Sequence, residues 1–106
     1  MSLFLDAVED ALRECQKSRM DLARPHTVIF DYTFDEKAPA GRMAARISGG
    51  GVTAFLDSDE PAGRWTVRCF VVMVPTPGAI TDVELKLAAI AEKLGGLSDG
   101  WEILPA

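Results

Sequence analysis

The segment Gly95-Gly96-Leu97-Ser98-Asp99-Gly100-Trp101-Glu102 directly follows an amphipathic helical pattern and is the most informative part of the chain. Two glycines end the helix, because glycine adopts left-handed backbone angles that other residues avoid. The Asp-Gly pair then predicts a bend or bulge, and Trp101 stands on the short apolar strand that follows. We therefore expect a helix stop that leads directly into a final strand carrying a large indole.

Upstream of this stretch, apolar residues recur at three- and four-residue spacing in three segments, which predicts three helices. The first covers residues 2–18, with Ser2 as its N-cap. The second follows Asp35, its predicted cap, and stops at Gly49-Gly50-Gly51. The third begins at Thr76-Pro77, a cap followed by a proline at the first helical position, and runs up to the two glycines.

Alternating apolar residues predict the strands. They cover residues 26–35, 52–56 and 64–74, and a final strand carries Trp101 and Ile103. The first strand places four residues on one face: Val28, Phe30, Tyr32 and Phe34. An acidic turn over residues 57–63 is expected to join the second and third strands.

The predicted order is strand–helix–strand–strand–helix–strand, preceded by an extra helix. Right-handed crossovers fold this order into a four-stranded antiparallel sheet with both crossover helices on one face. The prediction is thus an α+β protein, a ferredoxin-like β-α-β-β-α-β sandwich with an extra N-terminal helix. We divide it into a helix over residues 1–24 and a sandwich domain over residues 25–106, with the first and third strands central.

Length and charge narrow the classes of function. The chain has 106 residues, a length that suits one domain. Its formal net charge of -5 disfavours a partner that is held mainly through phosphate groups. Cys15 and Cys69 match no zinc spacing and are expected to be free thiols. The N-terminus lacks the features of a signal peptide, and no apolar run is long enough to span a membrane, so we expect a cytoplasmic protein.

No catalytic or metal-binding motif stands out. His26 is the only histidine and has no neighbouring nucleophile in sequence, so a structural role is expected. Gly49-Gly50-Gly51 precedes a strand, whereas a phosphate-binding loop precedes a helix. Trp65 and Phe70 have opposite parity on their strand, which disfavours a base-stacking face for RNA. We predict no catalytic residue, no metal and no cofactor, and no direct contact with nucleic acid.

The sheet face opposite the helices is expected to be unusually apolar. It would carry Ile29, Asp31, Arg68, Phe70 and Val72. Such a face needs a cover, which we expect to be either the N-terminal helix or another protein chain. Trp101 has two open interpretations as well: packing against the sheet or third helix, or direct contact with a partner.

The chain resembles the ribonuclease E inhibitor family, regulator of ribonuclease E activity B (RraB). The resemblance rests on the first strand, the aromatic third strand, Pro75-Thr76-Pro77 and, above all, residues 96–102. Ser98 stands where the family typically has an aromatic residue, and we expect one packing contact to be loosened there. The resemblance implies a small non-catalytic protein that binds ribonuclease E and restrains RNA cleavage.

Together, the open face and the resemblance predict partner-binding residues. They are Ile29, Arg68, Phe70, Val72, Asp99, Trp101 and Glu102. The expected partner is a protein, with ribonuclease E as the candidate. The alternatives are a homo-oligomer, such as a homodimer formed through the open face, or a small-ligand domain with a cleft beside Trp101.

Overall fold

A computed structural model describes residues 3–17, 21–49, 51–59 and 63–104. The helices are α1 (Leu3–Lys17), α2 (Lys37–Ile47) and α3 (Pro77–Lys93), and the strands are β1 (His26–Phe34), β2 (Val52–Asp59), β3 (Arg64–Met73) and β4 (Leu97–Ile103). The strands form one antiparallel sheet in the order β2-β3-β1-β4. The predicted ferredoxin-like arrangement is confirmed, with the first and third strands at the centre.

One core lies between the sheet and the helices. The helices contribute Val8, Leu12, Ala40, Met43, Ile47, Ile80, Leu87 and Ala91, and the strands contribute Val28, Phe30, Tyr32, Phe34, Val67 and Cys69. The four residues of β1 are those that the period-two pattern grouped on one face. Since α2 and α3 share this one core, they pack on the same side of the sheet.

Helix α1 also lies on the helical side of the sheet. It packs against α3, and its Val8 and Leu12 join the same core. Ile29, by contrast, is buried on the other face and is outside that core. Of the two expected covers for the open sheet face, the N-terminal helix is therefore the wrong one, because its Val8 and Leu12 are buried in the core on the opposite side. Ser2, the predicted cap of this helix, lies outside the described residues.

Local signals placed most element ends correctly, with two exceptions. Thr76 caps α3 as predicted, since its hydroxyl accepts a hydrogen bond from the Ala79 amide at 3.1 Å. The cap of α2 is Glu36 rather than Asp35, and its side chain makes no capping bond. Strand β2 continues to Asp59, because the predicted acidic turn stays paired with β3 as far as Arg64. No helix in the described part of the chain is long and apolar enough to cross a bilayer.

The glycine-rich ending behaves as its sequence suggested. Gly95 has a φ of +86° and closes α3 with the paired backbone bonds of a Schellman motif: its amide reaches Glu92 and that of Gly96 reaches Ala91. Gly100 has a φ of +99°, at a register shift between β1 and β4. This bulge sends Trp101 to the helical side of the sheet and Glu102 to the other side, since they pair with Phe30 and Ile29.

Candidate functional site

The face of the sheet opposite the helices, which we call the open face, is the candidate site. Its side chains are those of Thr27, Ile29, Asp31 and Thr33 on β1, Thr53, Phe55 and Asp57 on β2, Arg64, Thr66, Arg68, Phe70 and Val72 on β3, and Leu97 and Glu102 on β4. The buried residues of all three described helices join the core on the other side, so none of these helices covers it.

One part of the open face is an apolar strip, formed by Ile29, Phe55, Phe70 and Val72. Phe55 and Phe70 meet edge to face, with ring centroids 5.3 Å apart. Ile29 pairs with Phe70 across the strands and is only 4% exposed, while Phe55 is 55% and Val72 69% exposed. Contiguous apolar surface of this kind on a sheet is typical of a contact site for another molecule.

Next to the strip lies an acidic hollow, lined by Asp31, Asp57, Arg68, Asp99 and two neutral neighbours, Ser58 and Thr66. The guanidinium of Arg68 donates a hydrogen bond to the carboxylate of Asp31, with Nε 3.1 Å from Oδ1. The hydrogen bond and charge of Asp31 raise the pKa of Arg68, with smaller contributions from Glu102 and Asp57, so this cation stays charged.

Arg68 also bonds Glu102, with 3.4 Å between the guanidinium nitrogen and Oε1. Its two ion pairs are thus made with Asp31 and Glu102. Within the described residues, the carboxylates of Asp57 and Asp99 have no ion pair. The hollow therefore keeps an excess of negative charge that its own arginine does not neutralise.

The structure brings most of the predicted partner-binding residues together. Ile29, Arg68, Phe70, Val72 and Glu102 share the open face, and Asp99 lines the hollow at its margin. Trp101 is separated from them by the sheet, since it pairs with Phe30 and packs, partly buried, against the core.

Sequence reasoning missed two residues of this surface, Phe55 and Asp57. Both lie on β2 and point to the open face, where Phe55 pairs with Arg68. The available signal was parity: Val52, Ala54 and Leu56 form one apolar face of the strand, which places Thr53, Phe55 and Asp57 on the other. The acidic run after Leu56 concealed it, because such a run is more often a turn.

Polar groups elsewhere in the core form a network around a buried carboxylate. Glu84 of α3 is 5% exposed, and the hydroxyl groups of Tyr32 and Ser98 donate to its two oxygens at 2.7 and 2.6 Å. Burial and the Glu84 bond raise the pKa of Tyr32. Ser98, where the resemblance led us to expect a loosened packing contact, thus holds the buried Glu84 by a hydrogen bond.

Two further reactive side chains, those of Cys69 and His26, are buried. Burial raises the pKa of the Cys69 thiol to about 12, so it is protonated at neutral pH. The two ring nitrogens of the buried His26 lie 2.7 Å from the Asp21 carbonyl oxygen and 3.2 Å from that of Leu104. His26 thus connects the segment before β1 to the residue after β4. The described part of the chain holds no group of three side chains suited to a metal ion.

Comparison with known proteins agrees with the resemblance found in the sequence. No curated protein sequence matches the chain. A family model, described as regulator of ribonuclease activity B, matches residues 5–103, from the first turn of α1 to the last residue of β4. The chain belongs to this family, the RraB regulators of ribonuclease activity.

Proposed function

We propose that this protein is a non-catalytic regulator that binds ribonuclease E through the open face and slows its cleavage of RNA. The observation that carries the proposal is the match to the ribonuclease-regulator family over residues 5–103. The apolar strip supports a protein contact, because burial of Phe55 and Val72 on binding would remove exposed apolar surface from water.

The charge of the open face favours a protein over RNA as the direct partner. Four carboxylates, those of Asp31, Asp57, Asp99 and Glu102, lie on this face or at its margin and outnumber the guanidinium groups of Arg64 and Arg68. RNA phosphates would be repelled by this excess, and RNA-binding sheets instead present aromatic residues among basic ones. The burial of Cys69 and Tyr32 in the core is also consistent with a regulator that acts by binding rather than by catalysis.

The test is a cleavage assay with purified ribonuclease E and a labelled RNA, in which the protein is added in increasing amounts. We expect cleavage to slow in proportion to complex formation, measured in parallel by calorimetry. Failure of the protein to bind the enzyme, or to slow cleavage at saturating excess, would remove the proposed function.

Two matched variants test whether the inhibition depends on the open face. Val72→Ser removes an apolar side chain that is 69% exposed on the strip, and Leu85→Ser removes one that is 62% exposed on α3. Neither change should alter stability by more than about 0.5 kcal/mol. We expect Val72→Ser to weaken inhibition about tenfold, as loss of about 1.5 kcal/mol of valine burial predicts. Leu85→Ser should inhibit like the unaltered protein.

A further inference from the structure

We propose that the open face receives a basic, amphipathic segment of its protein partner. Its lysine or arginine side chains enter the acidic hollow, and its apolar side chains lie on the apolar strip. This inference rests on the proposed function, since it names the chemistry of the partner at that same surface.

The two zones are adjacent, and strand geometry sets their spacing. On β3, Phe70 belongs to the strip and Arg68 to the hollow, and these residues are neighbours on the same face. Alternate residues of a strand are about 7 Å apart. One turn of a helix, or two residues of an extended chain, spans a similar length, so a single short segment reaches both zones.

Charge selects a cationic segment. The guanidinium of Arg68 is already held by Asp31 and Glu102, whereas Asp57 and Asp99 form no ion pair within the described residues. A separate guanidinium or ammonium group beside each of these two carboxylates would form charge-assisted hydrogen bonds without displacing Arg68. An acidic or neutral segment would leave both carboxylates partly desolvated and unpaired, which is unfavourable.

The same charge argues against a second copy of this chain as the occupant. A twofold contact through the open face could place one acidic hollow against the other, and the like charges would repel. Placed instead against the apolar strip, the hollow would lose water around Asp57 and Asp99 without gaining a partner for them. A basic segment avoids both costs.

The decisive variant is Asp57→Asn with Asp99→Asn, which removes two charges with little change of shape. Its control is Asp82→Asn with Glu92→Gln, which makes the same change in net charge at exposed positions on α3. Circular dichroism establishes that both are folded. Calorimetry against purified ribonuclease E, at low and at moderate salt, measures the effect.

We expect the variant with Asp57→Asn and Asp99→Asn to bind ribonuclease E roughly tenfold more weakly and with a flatter salt dependence. The reason is that it loses two ion pairs with the partner, and salt screens such pairs at a protein surface. The α3 control should bind within about twofold of the unaltered protein. If the unaltered protein does not bind ribonuclease E, the proposed function fails. If it binds and the double Asn variant binds equally well with the same salt dependence, only the basic-segment inference fails.

A peptide probe tests the inference without the enzyme. An amphipathic peptide of leucine and lysine should shift the amide resonances of β3 and of Asp57 and Asp99 in a nitrogen-15 spectrum, while its leucine–glutamate counterpart should not. Equal shifts from both peptides would overturn the requirement for positive charge. Light scattering that shows a dimer, strengthened by the double Asn variant, would assign the face to a second copy and overturn the proposal.

Discussion

Gly96 offers a sharp test of how the chain ending is packed, because a methyl group there would collide with Phe34. A Cβ at Gly96 would lie 2.5 Å from Cζ, 2.6 Å from Cε2 and 2.9 Å from Cε1 of the Phe34 ring. The ring is 2% exposed and belongs to the core, so it has little room to turn aside. Overpacking of a core costs about 1–3 kcal/mol, and three such contacts point to the upper part of that range for Gly96→Ala.

Gly95→Ala provides the comparison. Gly95 has a φ of +86° with no atom within 4 Å of a Cβ there, so alanine would be strained only in its backbone, by about 1–2 kcal/mol. The free energy of unfolding, measured in urea, should therefore fall for both variants but for different physical reasons. The two causes can be separated by replacing Phe34 with a smaller side chain.

Phe34→Leu removes the three ring atoms that a methyl group at Gly96 would meet. Its own cost should be about 1–2 kcal/mol, since a buried side chain becomes smaller. In this background Gly96→Ala should lose most of its effect, a coupling of about 1 kcal/mol or more, while Gly95→Ala should keep its full cost. An unchanged cost of Gly96→Ala in the leucine background would refute the steric explanation.

Four further predictions test other parts of the fold. Ser98→Ala should lower the free energy of unfolding in urea by about 1–3 kcal/mol, because one oxygen of the buried Glu84 loses its donor; Ser98→Thr, which keeps the hydroxyl, should lose less. Trp101→Ala should lower the free energy of unfolding by about 3 kcal/mol if the main role of the indole is to pack against the core. A much smaller loss of stability, together with lost binding of ribonuclease E, would instead make Trp101 a contact residue. Cys69 should react with iodoacetamide far more slowly at pH 8 in the folded protein than in urea, and more slowly than Cys15, because its raised pKa leaves little thiolate; equal labelling rates would contradict this burial. The raised pKa of Cys69 also makes stability depend on pH: its contribution is complete below pH 9.0, the pKa of the thiol in the unfolded chain, and is lost as the pH rises towards 12. Urea unfolding at several pH values should show this decline, and Cys69→Ala should reduce it.

Much of the fold was predictable because its signals are local. Alternation along β1 placed Phe30 and Tyr32 in the core, and the Thr76-Pro77 pair marked the start of α3. The two glycines after α3 and the Asp-Gly pair indicated a helix stop and a bulge. Each signal depends on residues within a few positions of one another, so the sequence alone contains it.

The acidic hollow was only partly predictable. Asp31 and Arg68 could be placed on one face by parity, but their ion pair depends on the register between β1 and β3. Asp57 was assigned to a turn, since only continued pairing with β3 extends β2 that far. Ser98 and Glu84 are 14 residues apart, and no local pattern predicts their hydrogen bond.

The order of helices and strands, their apolar faces, most of their ends and the family of the chain could all be read from the sequence alone. These follow from periodicity, capping and turn chemistry, which act over a few residues. The packing of α1 on α3, which leaves the open face uncovered, and the position of Trp101 on the core side became known from the three-dimensional arrangement. They depend on competition among distant apolar surfaces and on strand register, which no single segment contains.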